Sequence, residues 1–181
     1  MKTFYINRLP HIVPLGGCFF VTFCTNDSIP IHRNLGKKTH GLGGFKNFDR
    51  RHDLSTGLIN LTLPHIATIV KSTIERHDQD LYELLYYCIM PTHVHKVINT
   101  GFRPDPKPLH QIMKKVKGAS SRMINLELGK TGVFWQAESY DHLIRSDREL
   151  GAIGNYILEN PVKAGLVTKW EDWPYSYVKC S

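Results

Sequence analysis

The stretch GGCFFVTFCT at residues 16–25 alternates Phe19, Val21 and Phe23 with Cys18, Phe20, Thr22 and Cys24. Bulk on both sides of the alternation describes a strand covered on both faces, which predicts a central position in a sheet. Between residues 63 and 77 the period changes. Ile66, Ile69, Val70 and Ile74 recur at helical spacing and Pro64 suits a first turn, so a core-packed helix is predicted there. Two strand-like runs follow, LYELLYYCIM (81–90) and HVHKVINT (93–100). Pro91 and Thr92 separate them as an antiparallel hairpin without the usual Asn-Gly turn.

From 109 to 128, Ile112, Met113, Val116, Met123 and Ile124 predict a helix broken or bent near Gly118. A last strand is predicted from Tyr140 to Ile144. Ser146 and Glu149 then stand at capping-box spacing, so a further helix should begin at about Asp147 and bury Leu150, Ile153, Ile157 and Leu158. This order, strand, helix, strand, strand, helix, strand, helix, is that of an α+β, ferredoxin-like split βαβ sheet with helices packed on one face. The 181 residues suit a single domain, 1–181, interrupted by a basic loop at about 27–60. Its centre, residues 32–52, holds six Lys or Arg, one Asp and four Gly with no sustained period. Trp170, Trp173, Pro174 and Tyr175 are assigned to packing of the tail.

Charge narrows the choice of partner. The chain carries 23 Lys plus Arg against 16 Asp plus Glu, a net +7 that favours a polyanion. On the helix at 109–128, Lys114, Lys115, Lys117 and Arg122 occur with no acid between 107 and 122, a track suited to a phosphate backbone. Phe45, Phe48 and Trp135 are candidates for stacking on splayed bases, although Trp135 suits a core better. Cys18, Cys24, Cys88 and Cys180 form no CxxC pair, and Pro10 and Pro14 break any secretory leader. With no apolar run of membrane-spanning length, a cytoplasmic, nucleoid-associated protein is expected.

His93 and His95 open the second strand of the hairpin, in CIMPTHVHKVI. Alternate strand residues share a face, so His93, His95 and Val97 point one way and Val94, Lys96 and Ile98 the other. Two imidazoles at that spacing can reach one ion, but a third ligand is needed. In the final helix Tyr156 and Asn160 are four residues apart and share a face. Pro161 makes Asn160 a helix-ending residue, and by pattern alone the pair equally describes a turn beside a flanking aromatic.

Three segments, CIMPTHVHKVI, VFWQAESYDHLIRSDREL and YILENPVKAGLV, together resemble the single-tyrosine HUH transposases, in the branch called REP-associated tyrosine transposases. The likeness runs from FFVTFCT to WEDWPYSY, and His93-Val94-His95 is the motif of histidine, hydrophobe, histidine. The resemblance implies that His93, His95 and Asn160 bind a divalent metal, Mg2+ or Mn2+, and that Tyr156 attacks a DNA phosphodiester. It also implies single-stranded or hairpin DNA as substrate, in particular repetitive palindromic hairpins, and leaves monomer and homodimer open. Thr92 and Lys96 depart from the family's usual Asn and aliphatic residue.

The residue types suit that chemistry. A phenol titrates near about 10 and is scarcely ionised at neutral pH, so it needs deprotonation or a metal that makes the phosphate more electrophilic. A 5'-phosphotyrosine and a free 3'-hydroxyl retain the bond energy, which permits strand transfer as well as cleavage. Two other readings remain: a non-catalytic protein that binds nucleic-acid hairpins, and a nuclease that activates water and not Tyr156. Asp141, His142 and Arg145 receive no role from the sequence.

Overall fold

The computed structural model describes residues 2–6, 10–28 and 59–179. Strands β1 (Lys2–Ile6) and β2 (Pro10–Pro14) pair antiparallel as a separate hairpin. The main sheet is built from β3 (Cys18–Cys24), β4 (Glu83–Ile89), β5 (His93–Asn99), β6 (Tyr140–Ile144) and β7 (Ser176–Val178). Its order is β6-β3-β5-β4-β7, antiparallel throughout. The first four strands have the ferredoxin-like order, and β7 extends the β4 edge. The Met90 N–H donates to the His93 carbonyl at 2.8 Å and closes the predicted turn at Pro91 and Thr92. The basic stretch at 32–52, with Phe45 and Phe48, lies outside the described residues.

Helices α1 (Pro64–Glu75) and α2 (Leu109–Glu127) cover one face. Phe19, Val21, Phe23, Val94 and Ile98 meet Ile66, Val70, Ile74, Ile112 and Val116 there. The sequence pattern places every helix on one face, but α3 (Asp147–Leu158) lies on the opposite one. It packs Ile153, Tyr156 and Ile157 against Phe20, Cys24, Cys88 and Val97. The physical reason is in the strands themselves. β3 and β5 carry apolar side chains on both sides, and each fully buried one contributes about 1.5–3 kcal/mol, so neither face of the central strands is left wet. α2 runs unbroken through Gly118, where helix propensity is outweighed by the buried stripe on the other side of the turn. Trp135 belongs to the core: its ring meets Phe23 and Phe134 edge-on, and its Nε1 donates to Ser120 Oγ at 2.9 Å.

Two features seat α3. Ser146 is its N-cap, in extended conformation, and its hydroxyl accepts from the Glu149 N–H at 3.2 Å. Two residues before Tyr156, Gly154 lies so close to β4 that a Cβ there would come within 2.6 Å of Tyr86 Cζ. Glycine therefore lets the helix backbone approach the sheet more closely than any other residue would. The tail packs as its aromatic residues suggest. Trp173 Nε1 donates to the Ile89 carbonyl at 3.1 Å, and Tyr177 stacks on Tyr87 with ring centroids 5.4 Å apart.

Lys96 faces away from the histidines, as alternation requires, and its side chain is completely buried. Its Nζ lies 4.6 Å from the centre of the Tyr82 ring and has no hydrogen-bond partner among the described residues. Burial pushes its pKa down to about 7. Between that value and 10.5 the unfolded chain binds the proton more readily than the folded one, so this group makes stability rise with pH across the window. Lys96→Met should therefore be more stable at pH 7, by about 1–4 kcal/mol. Denaturant titrations from pH 7 to 10 should show the advantage of Lys96→Met shrinking as the pH rises; a constant difference would mean that the amine is charged in the fold.

Candidate active site

β5 sets the first two groups. His93 pairs with Cys24 and His95 with Thr22 across β3, and both side chains are fully buried on the α3 face. Their Nε2 atoms converge to 2.9 Å. Each remaining ring nitrogen meets a threonine hydroxyl: His95 Nδ1 lies 2.7 Å from Thr22 Oγ1, and His93 Nδ1 lies 3.3 Å from Thr92 Oγ1. The Thr92 that departs from the family pattern thus touches the ring beside it.

The spacing of the imidazoles tests whether a metal ion fits. Two nitrogens bound to one ion at about 2.1 Å and about 90° apart stand about 3.0 Å from each other. The observed separation fits adjacent corners of an octahedral ion. Among the described residues, no group of three or more His, Cys, Asp and Glu side chains is placed to hold a metal. An amide oxygen is a suitable further ligand for such an ion.

α3 supplies the other groups. Tyr156 is mostly buried, with its ring edge-on to His95 at 6.5 Å between centroids. Lys163 Nζ stands 4.7 Å from the centre of the same ring. Lys163 ends the short helix α4 (Asn160–Lys163), and its exposed side chain puts a positive charge beside the phenol. Asn160, also buried, begins that helix directly after α3. The fold therefore brings Tyr156 to the histidine pair and carries Asn160 on the adjoining turn.

His142, left without a role by the sequence, anchors the start of α3. It points to the histidine face, opposite Phe20, and its Nε2 lies 2.7 Å from Glu149 Oε1. The other Glu149 oxygen accepts from the Arg145 N–H at 2.8 Å. The capping box is thus half formed. Ser146 caps Glu149, but the Glu149 carboxylate turns to His142 and Arg145 and ties the edge strand to α3. The Arg145 N–H, helped by His142, holds the Glu149 carboxyl below its ordinary value of 4.5.

The basic residues of α2 are placed elsewhere. α2 covers the α1 side of the sheet, so Lys114, Lys115 and Arg122 are exposed on the face remote from His93, His95 and Tyr156. Lys117 is not a free cation. Its Nζ donates to the Gln136 and Ala137 carbonyls at 2.6 and 3.0 Å and to Ser139 Oγ at 3.3 Å, and desolvation lowers its pKa to about 8. It fastens the segment leading into β6. A cleft of about 780 Å³ opens beside it, with Lys114, His110, Phe134, Trp135, Glu138 and Asp141 in its wall. Asp141 therefore serves this side of the sheet, one residue from His142 on the other.

A ferredoxin-like sheet with a paired-histidine strand and a tyrosine helix on one face defines a class that comparison with known proteins makes definite. Residues 50–160 match the family model described as "Transposase IS200 like". A Haemophilus influenzae (strain Rd) protein whose name assigns it to the REP-associated tyrosine transposases is 30% identical over 136 residues, covering 71% of this chain and 73% of its own. A solved REP-associated tyrosine transposase bound to a REP hairpin shares the fold at a TM-score of 0.64. It is 18% identical, and the match covers 94% of this chain and 82% of that one. The chain belongs to the IS200-like transposases, in their REP-associated tyrosine branch, and is a DNA-processing enzyme. Among the described residues no helix is long and apolar enough to cross a membrane.

The anchor at Glu149 has a pH signature. A carboxyl held below its ordinary value stabilises the fold above that value, and the contribution is lost as pH falls through the folded pKa. Glu149→Gln should be less stable than the parent at pH 7, and thermal melts should show the gap closing below about pH 4.5. A gap that is unchanged at pH 3 would mean that the carboxylate's charge contributes nothing to seating α3.

Proposed function

We propose that this chain is a metal-dependent, single-stranded DNA endonuclease and strand transferase in which Tyr156 is the nucleophile. The observation that carries the reading is the approach of the Tyr156 ring to His95, whose Nε2 meets that of His93 at 2.9 Å. The Tyr156 Oη attacks the phosphorus of a phosphodiester, a P–O bond forms, and the bond from phosphorus to the 3' oxygen breaks. The phenol proton passes to solvent and the leaving oxygen takes one up as a 3'-hydroxyl. The product is a 5'-phosphotyrosine, and attack by a second 3'-hydroxyl reverses the step and joins strands.

His93, His95 and Asn160 would hold Mg2+ or Mn2+, which when bound makes the phosphodiester more electrophilic and stabilises the departing oxygen. Two imidazoles and an amide leave the rest of an octahedral shell to phosphate oxygen and water, so metal affinity without DNA should be weak. Lys163, beside the phenol ring, is placed to meet the charge of the phosphate. Helix α3, fixed by Ser146, Glu149 and His142, presents the phenol in one orientation, which lowers the entropic part of the barrier.

The substrate is single-stranded DNA next to a hairpin formed by repetitive palindromic sequence. Support comes from the net charge of +7 and from the relative solved with a REP hairpin. Lys114, Lys115 and Arg122 supply phosphate contacts on the α2 face, and Lys117 acts through the segment 136–139 that it fastens. One DNA molecule meeting both faces would pass around an edge of the sheet.

The test is a denaturing gel with hairpins labelled at the 5' or 3' end, with Mg2+, Mn2+ or chelator. The expected outcome is a protein adduct that carries the 3'-side fragment and is abolished by chelator and by Tyr156→Phe. Tight hairpin binding without an adduct would favour a binding protein. Cleavage that survives Tyr156→Phe without an adduct would favour activated water.

A further inference from the structure

The histidine pair is closed in, and the groups that reach solvent beside it show where a strand would lie. His93, His95, Thr22, Cys24 and Cys88 are fully buried, and Asn160 almost so. Among the described residues on this face, Tyr140 is half-buried and Lys163 is exposed. One row of residues crosses the sheet here: Tyr140 on β6 pairs with Thr22 on β3, Thr22 with His95 on β5, and His95 with Cys88 on β4. Neighbouring strands are about 4.8 Å apart, so Tyr140 stands about 10 Å from His95, a distance that the sugar and base of one nucleotide span. The Tyr140 ring meets Phe20 edge-on, with centroids 6.0 Å apart, and Phe20 in turn lies 5.8 Å from the His95 ring. Phe20 is buried, so it gives Tyr140 a fixed back wall.

The direction of attack decides which nucleotide meets that ring. α3 starts at the β6 edge, where Glu149 meets His142, and by Gly154 it has crossed to β4, where it abuts Tyr86. Its main contacts with the sheet are to β4, β5 and β7. Tyr156 therefore comes to His95 from the β4 side, and Tyr140 stands on the β6 side. In an in-line displacement the leaving oxygen departs on the side of phosphorus opposite the attacking one. We infer that Tyr140 is the stacking platform for the nucleotide immediately 5' to the scissile phosphate, whose 3' oxygen is the leaving group. Cleavage leaves that fragment without a covalent tether, because only the 3' side is bound to Tyr156. Stacking on Tyr140 keeps its 3'-hydroxyl in place for the joining step. An aromatic ring accepts the face of any base, so the contact retains the strand without reading its sequence.

This inference rests on the reading of Tyr156 as the nucleophile, and the experiment separates the two. Adduct formation and rejoining by the full chain are followed for the parent, Tyr140→Leu and Tyr140→Phe, on a labelled hairpin left intact or made abasic just 5' or just 3' to the cut. Tyr140→Leu keeps apolar packing on Phe20 and removes the aromatic face. The expected result is a rise in KM of about 5- to 150-fold in Tyr140→Leu on the intact hairpin, with a smaller share of rejoined strand and with Tyr140→Phe close to the parent. The parent should lose as much on the 5' abasic hairpin, and combining the two changes should cost nothing more. Additive losses, coupling to the 3' abasic site instead, or an unchanged share of rejoined strand would overturn the role of Tyr140 and leave Tyr156 standing; absence of a Tyr156 adduct in the parent would overturn both. A 2-aminopurine placed just 5' to the cut provides a readout independent of any folding defect at position 140. Its fluorescence should fall when the hairpin binds Tyr156→Phe, which leaves the strand uncut, and fluorescence no lower than in the free strand would also overturn the inference.

Discussion

Strand β5 has a paired strand on either side and a packed layer above and below, so each of its side chains is committed to one of two buried environments. His93, His95 and Val97 go to one, Val94, Lys96 and Ile98 to the other. A slip of one residue would bury the imidazoles beneath α1 and α2 and turn Lys96 toward the phenol. The candidate site therefore depends on register, which the hydrophobic residues of β3 and β5 enforce far more strongly than any contact among the polar groups. The same constraint accounts for the strangest residue in the core. Lys96 takes its buried position because its strand cannot move, and the fold accommodates the amine against the Tyr82 ring with its pKa pushed down to about 7.

Covering the second face is what delivers Tyr156 to the histidine pair. α3 contributes apolar burial through Ile153 and Ile157, and Tyr156 sits in the same packed stripe. Its position is then fixed at two points. The Glu149 carboxylate ties the first turn to His142 on the edge strand, and the absence of a side chain at Gly154 allows close seating against Tyr86. Stability and geometry are thus supplied by the same helix, and a change that loosens the packing also moves the phenol.

Much of this was legible from period alone. The alternation across residues 93–98 assigned the histidines and Lys96 to opposite faces, and the four-residue spacing placed Tyr156 and Asn160 together. The boundaries of α1, β6 and α3 followed from Pro64, the run at Tyr140 to Ile144 and the Ser146 cap. What the period does not carry is which face of a sheet an amphipathic helix will choose, because the stripe on α3 would pack on either. Nor does it distinguish a cation that reaches solvent from one that binds carbonyls. Lys117 looks like its neighbours Lys114 and Lys115 until the segment 136–139 folds over its amine. Thr22 and His142 acquire their partners only across strands or between a strand and a helix, so no local pattern marks them. Lys163 did have a signal, seven residues after Tyr156 and so near it after two helical turns, but the intervening Asn-Pro obscured it.

The central claim is that the sheet brings one particular phenol to the histidine pair, and chemical mapping of the attached nucleotide tests it most directly. Tyr140 is the informative rival, since it pairs with Thr22 and lies on the same face as His95. Trypsin would release Tyr156 in the segment 149–163, where it is the sole tyrosine, and Tyr140 in the segment 131–145. After reaction with a hairpin substrate and nuclease trimming, mass spectrometry should find the 5'-phosphonucleotide on the segment 149–163. The same mass increment on the segment 131–145, with 149–163 unmodified, would contradict the account.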